Sequence, residues 1–158
     1  MNRTICEGRV SDHMDRSVPV LSRKTTVHEA LRLVRGHGHP VLPVCDRGRF
    51  LGLVEERDLL EMTPSRATLL SRHEISALLD RVTVEAVLRC PPATVSQGQS
   101  LRDAAEAMVR HSAGVLPVLE EGSYAGLISW EEILDAALEE SCPGVRIVLG
   151  AHEEHQGP

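Results

Sequence analysis

Aromatic side chains are scarce in this chain, with one Trp, one Tyr and one Phe among 158 residues. Proteins that grip single-stranded nucleic acid stack bases on several such rings and track the backbone with cations. Here 17 basic residues face 23 acidic ones, for a formal charge of −6, so a nucleic-acid partner is not expected. Apolar runs long enough to cross a bilayer, roughly 20 residues, are also missing. The opening residues MNRTICEGRV lack the apolar stretch of a secretory signal. A cytoplasmic location without membrane contact is the resulting expectation. The four cysteines, Cys6, Cys45, Cys90 and Cys142, form no CxxC pair, which leaves no zinc or dithiol redox motif. His37 with His39, and His152 with His155, lack a third ligand at a recognisable spacing, so no metal site is read from them. The chain has no glycine-rich phosphate loop and no nucleophile with a base at motif spacing, and an enzyme is not expected.

What is present is a duplication. Residues 41–60, VLPVCDRGRFLGLVEERDLL, return without a gap at 115–134 as VLPVLEEGSYAGLISWEEIL, every aligned pair offset by 74. Val41, Leu42, Pro43, Val44, Gly48, Gly52, Leu53 and Leu60 recur unchanged, and upstream Ser22 meets Ser96, Thr26 meets Ser100 and Ala30 meets Ala104. The repeat runs from about Val10 to Met62 and again from Val84 to Ala136. One such unit rarely buries its apolar face alone. The pair is expected to fold as one globule about a pseudo-twofold axis, with a cleft lined by equivalent residues of both halves.

Within each copy the pattern reads strand, helix, strand, strand, helix. Thr26 and Ser100 are followed three residues later by Glu29 and Asp103, a capping-box spacing in which Asp103 is the poorer match. Helices near 26–37 and 100–111 follow, with Val27, Ala30, Leu31, Val34 and Leu101, Ala104, Ala105, Met108 on their buried faces. The turns DRG (46–48) and EEG (120–122) predict hairpins joining strands near 41–45 and 50–54, and near 115–119 and 124–128. Pro43 and Pro117 imply a strand start or a sheet edge, because proline cannot donate to a ladder. Ser71 and Glu74 predict a short linker helix through Ile75, Leu78, Leu79 and Val82. The tail holds one strand-like run, Val145 to Leu149.

The LPV strands, the glycine turns and the segments Gly52-Leu53-Val54 and Gly126-Leu127-Ile128 leading into helices resemble tandem CBS domains, the Bateman module. The resemblance covers about residues 5–141. It implies an α/β fold (α+β-like) of two pseudo-twofold-related β-α-β-β-α repeats packed as one module: repeat 1 over 5–62, a linker over 63–83, repeat 2 over 84–141 and a tail over 142–158. The linker and the tail's GVRIV are similar to acetoin utilization accessory proteins, in which an ACT domain usually follows, so the tail reads as a remnant of one.

The resemblance further implies an adenosine-type ligand between the repeats, held by the signature glycine, two apolar residues, Ser or Thr, two variable residues and Asp. The hydroxyl and the helix N-terminus face a phosphate, and the Asp accepts both ribose hydroxyls. Repeat 1 reads Gly52-Leu53-Val54-Glu55-Glu56-Arg57-Asp58, keeping the ribose Asp58 but placing Glu55 where the hydroxyl belongs. Repeat 2 reads Gly126-Leu127-Ile128-Ser129-Trp130-Glu131-Glu132, keeping Ser129 but lengthening the acid to Glu132. Residues 1–83 carry 13 basic and 11 acidic groups and residues 84–158 carry 4 and 12, so charge favours the first repeat while the motif favours the second. The motif is given the greater weight, since charge is screened beyond about 8–10 Å. A second reading makes Ser129 the N-cap of the last helix with Glu132 completing a capping box, and Asp58 a first-turn dipole residue. By the same carry-over the base meets Pro40, Val41, Gly114 and Val115, with Val20 and Thr94 nearby.

The expected function is that of a regulatory module, signalling to a regulated protein partner and requiring no cofactor. The candidate regulatory ligands are AMP, ADP, ATP, S-adenosylmethionine and NAD, and the resemblance implies a homodimer. The rival expectation is a dimerisation or docking scaffold whose degraded sites bind nothing.

Overall fold

The computed structural model describes residues 8–65 and 69–141. The chain forms α1 (Val10–His13), β1 (Leu21–Ser22), α2 (Val27–His37), β2 (Val41–Asp46), β3 (Arg49–Glu55), α3 (Glu56–Glu61), α4 (Arg72–Leu79), a single 3₁₀ turn (Val84–Val87), β4 (Val95–Ser96), α5 (Leu101–His111), β5 (Val115–Glu120), β6 (Ser123–Ser129) and α6 (Trp130–Ser141). The expected strand-helix-strand-strand-helix order is present twice. The run Val145–Leu149 lies outside the described residues. Among the described residues no helix is long and apolar enough to cross a membrane.

The strands make one mixed sheet in the mirrored order β1-β2-β3-β6-β5-β4. The outer pairs are parallel, Leu21 beside Val44 and Val95 beside Val118. The hairpins are antiparallel, and their tight turns have positive φ at both central residues, Arg47 (51°) with Gly48 (80°) and Glu121 (50°) with Gly122 (82°). This is the turn geometry whose twist matches a two-residue hairpin. The halves join through β3 and β6 at Arg49 and Ser123. Over that seam the chain's sole Phe and sole Tyr, Phe50 and Tyr124, stack with ring centroids 6.2 Å apart. They occupy equivalent positions of the repeat, so each copy contributes one ring to the pseudo-axis.

Pro43 and Pro117 lie third in six-residue strands that have neighbours on both sides, rather than at a strand start or an outer edge. The conflict with proline chemistry is avoided locally. β1 and β4 are two residues long and reach only 44–45 and 118–119, so the proline-bearing halves of β2 and β5 face no strand on that side. Asp103 is also a better cap than its type suggests. Its carboxylate accepts from Ser100 N at 3.1 Å and Ser100 Oγ at 2.8 Å, while Asp103 N donates to Ser100 Oγ. α4 carries the same reciprocal box between Ser71 and Glu74, and at α2 Glu29 N donates to Thr26 Oγ1 at 3.1 Å.

The two sequence repeats are not the two spatial halves. The opening segment of repeat 1 crosses to the second half: Val10 N donates to Gln99 O, and Asp15 exchanges two backbone bonds with Leu127 at 2.8 and 2.9 Å. The opening segment of repeat 2 crosses to the first: Val84 N donates to Thr25 O, and Arg89 exchanges two bonds with Leu53, both 2.8 Å. Val10 and Met14 accordingly pack with Leu101, Met108, Leu116 and Ile128, whereas Val84 packs with Leu21, Leu42, Val54 and Leu59. Each core is completed by the opening residues of the other copy. These crossings need close backbone approach. A Cβ on Gly52 would stand 2.4 Å from Arg89 O, and one on Gly126 would stand 2.7 Å from Asp15 O.

Gly52→Ala and Gly126→Ala are each expected to destabilise the fold by about 1–3 kcal/mol, the usual cost of an overpacked site, read from urea midpoints; unchanged midpoints would show that the crossings yield without cost. The caps make a second expectation. Hydrogen bonds from Ser71 hold the Glu74 carboxyl below its ordinary pKa, and those from Ser100 do the same for Asp103. A lowered folded pKa adds stability that is present above the unfolded value and lost as pH falls through the folded one. The variant Glu74→Gln with Asp103→Asn should therefore lose less stability than the parent between about pH 5 and pH 3.

Candidate functional site

The halves meet in the sheet through β3 and β6, and beside that seam the loops entering β2 and β5 bring Val41 and Val115, the first residues of those strands, to the junction. Two cavities open there, related by the same 74-residue offset as the sequence. The first, about 140 Å³, is lined by Asp15, Val18, Gly38, His39, Pro40, Val41, Val115, Leu127, Ser129, Glu131 and Glu132. The second, about 380 Å³, is lined by Val41, Leu53, Glu55, Arg89, Cys90, Pro91, Pro92, Ser112, Ala113, Gly114 and Val115. Val41 and Val115 belong to both. Asp15 in the first corresponds to Arg89 in the second, Pro40 to Gly114 and Ser129 to Glu55.

The sequence-predicted residues divide between these spaces. Pro40, Val41, Val115, Ser129 and Glu132 meet in the smaller cleft, and Gly114 joins the two valines in the larger. Val20 and Thr94 are exposed and line neither. They directly precede the buried Leu21 and Val95 of β1 and β4, and strand alternation turns them to the opposite face. Asp58 is buried, 5% exposed, yet it lines a separate outer cavity with Glu61, Met62, Ala86, Val87, Leu88 and Arg89.

Both carboxylates of the signature already hold partners. Arg89 grips Asp58 with two parallel bonds, Nε to Oδ2 and Nη2 to Oδ1, the latter 2.6 Å. That bidentate fork is the strong form of ion pairing, and the adjoining Asp58 carboxylate raises the guanidinium pKa further above its ordinary value. In the smaller cleft Glu132 Oε2 accepts from Ser129 N at 2.6 Å and from the Ser129 hydroxyl, while Glu131 N donates to that hydroxyl at 3.2 Å. These contacts are the capping arrangement of α6. Ser129 therefore has its proton committed to Glu132 rather than free for an anion.

Two site residues carry no motif signal of their own. Asp15 and Arg89 stand where the crossing strands meet Leu127 and Leu53, and they reverse charge between copies. Extending the repeat register upstream pairs them, and the reversal is the one trace the sequence holds. His39 Nε2 lies 3.2 Å from Asp15 Oδ2. The smaller cleft thus holds three carboxylates against one imidazole, whereas the larger sets Arg89 beside Glu55, whose carboxylate also meets Arg57 at 3.3 Å.

A six-stranded sheet of mirrored halves, each with an interfacial cleft at its mouth, defines a duplicated α/β regulatory module. The chain belongs to the CBS domain family, which it matches over residues 10–64 and 84–139. Among curated relatives, the CBS domain-containing protein YhcV of Bacillus subtilis is 23% identical over 144 residues, covering 91% of this chain and 96% of YhcV. Protein MJ0188 of Methanocaldococcus jannaschii is 26% identical over 138 residues, covering 85% of this chain and 46% of its own, so the chain spans about half the length of that relative. Among solved structures, the acetoin utilization protein AcuB of Vibrio cholerae is similar with TM-score 0.68 and 26% identity, over 85% of this chain and 96% of AcuB. CBSX2 in complex with AMP is similar with TM-score 0.68 and 25% identity, over 84% of this chain and 98% of CBSX2.

Proposed function

We propose that this tandem CBS module is a cytoplasmic regulatory sensor in which an adenosine-type small molecule binds between the repeats and a partner protein reads the change in their relative geometry. The observation that carries this reading is the pair of offset-related cavities sharing Val41 and Val115. An occupant of either space touches both copies, and a ligand that favours one arrangement of the halves shifts the population toward it. The larger cavity, about 380 Å³, falls in the range of small-molecule sites, roughly 300–1,000 Å³. The AMP complex of CBSX2 supports the choice of an adenosine compound. AMP, ADP, ATP, S-adenosylmethionine and NAD are the candidates, each as a regulatory ligand rather than a reacting cofactor.

The occupied state of Asp58 and Glu132 favours one alternative. Carboxylates already satisfied by Arg89 and Ser129 suit a docking scaffold that has lost nucleotide binding. A thermal-shift series with the five adenosine compounds at about 1 mM separates the two. A ligand at 100 times its dissociation constant adds about 2.7 kcal/mol, which for a chain of this size raises Tm by roughly 5–10 °C. A rise of that order with one compound is the expected outcome; a flat series across all five leaves the scaffold.

We also propose a homodimer. Leu60 and Leu134, equivalent positions on α3 and α6, are 43% and 50% exposed, with Met62 beside the first at 38%. Apolar side chains repeated on symmetry-related helices suit a self-complementary interface. Light scattering should give twice the chain mass, and Leu60→Glu with Leu134→Glu should give the monomer; a parent chain that is monomeric at micromolar concentration sinks the proposal.

A further inference from the structure

We propose that Arg89 is the anion receptor of the larger cleft, and that a phosphate-bearing nucleoside enters by exchanging the Arg89–Asp58 pair for two ligand contacts, phosphate on Arg89 and ribose diol on Asp58. This inference rests on the adenosine-ligand reading above and assigns the phosphate to the cleft opposite the one that the signature hydroxyl of Ser129 favours.

The duplication supplies an internal control. In the smaller cleft the equivalents of Arg89 and Asp58 are Asp15 and Glu132, and both line one continuous space. In the larger cleft Arg89 lines the space and Asp58 does not; Asp58 opens instead on the outer cavity, where Arg89 is again a wall. Arg89 is therefore the partition between the signature carboxylate and the cleft. Its side chain is 54% exposed whereas that of Asp58 is 5% exposed, so the guanidinium can swing while the carboxylate stays. The partition is anchored from behind, since the Arg89 backbone is clamped to Leu53 by two bonds of 2.8 Å.

Chemistry matches the exchange on both sides. A carboxylate gripped by two parallel N–H donors presents two acceptor oxygens, and a vicinal diol brings two O–H donors to the same oxygens. A guanidinium released from a carboxylate finds equivalent geometry in a phosphate. The buried Asp58 carboxylate keeps two hydrogen-bond donors throughout and the half-exposed Arg89 guanidinium keeps an anion, so neither is left without a polar partner. The competing cleft offers a phosphate Asp15, Glu131 and Glu132 with His39 as its sole cation-forming side chain, and like charges repel. In the larger cleft Glu55 is the opposing carboxylate, and Arg57 lies 3.3 Å from it.

The test is calorimetric titration of the full chain with AMP and with adenosine, for the parent, Arg89→Gln, Arg89→Gln with Asp58→Asn, Ser129→Ala, and Arg102→Gln as a charge-matched control on α5. The parent should prefer AMP over adenosine by roughly 10- to 100-fold, the worth of hydrogen bonds to a charged group, and should lose AMP affinity as salt rises. Arg89→Gln should bring the AMP-to-adenosine ratio close to one and flatten the salt dependence, and Arg102→Gln should keep both. If Arg89→Gln fails to fold because Asp58 is left unpaired, the double variant removes both charges and carries the same expected ratio. An AMP preference that survives in either Arg89 variant overturns the assignment. So does an AMP affinity that falls with Ser129→Ala and not with Arg89→Gln, which moves the phosphate to the smaller cleft and leaves the sensor reading standing. Absence of binding by both compounds in every protein overturns the assignment together with the adenosine reading.

Discussion

Two backbone crossings hold the molecule together, and the remaining features depend on them. Asp15 pairs with Leu127 and Arg89 pairs with Leu53 through reciprocal bonds of 2.8–2.9 Å, each laid directly over a glycine that leaves no room for a Cβ. Because the opening segment of each repeat completes the core of the other, neither copy closes its apolar face alone. Val10 is fully buried among residues of the second half and Val84 among those of the first. The sheet seam between β3 and β6 is short, so the crossings and the Phe50–Tyr124 stack carry much of the connection that makes two repeats one body.

The same crossings decide the polarity of the clefts. Each delivers one side chain to the mouth of the cavity it borders, Asp15 on one side and Arg89 on the other. A near-symmetric backbone thereby holds clefts of different charge. Arg89 reaches past its cleft to grip Asp58, whereas Asp15 is too short for a comparable span and meets His39 at 3.2 Å. The reversal from Asp15 to Arg89 within a duplicated frame, with Ser129 set against Glu55, gives two clefts of a single fold different local charge.

Much of the fold was legible in the sequence because its signals are local. The caps at Thr26, Ser71 and Ser100, the turns at Gly48 and Gly122 and the apolar spacing of α2 and α5 each act within a few residues. The prolines were the exception: Pro43 and Pro117 read as edge signals, but whether a strand lies alongside depends on how far β1 and β4 extend, which local chemistry does not encode. The site was less legible. Pro40, Val41, Gly114, Val115, Ser129 and Glu132 were found through the motif and do line the clefts, while Val20 and Thr94 point away from them. The motif also ranked the Ser129 cleft first; the capping-box reading gave Glu132 as the partner of Ser129, as the structure has it, but the convergence of three carboxylates there left no local signal.

The sequence by itself determined the duplication, the element order, the helix caps and the family, all of which follow from spacing along one chain. Only the tertiary structure decided which half each leading segment completes, that Asp58 is engaged by Arg89 31 residues away, and that the two clefts differ in charge and in size. Those outcomes depend on side chains distant in sequence meeting at one place, and a pairing across space leaves no periodicity to read. The glycines mark the difference well. Gly52 and Gly126 recur in the repeat and open its motif, but that a backbone approaches each of them, and from which repeat, is settled by the folded chain alone.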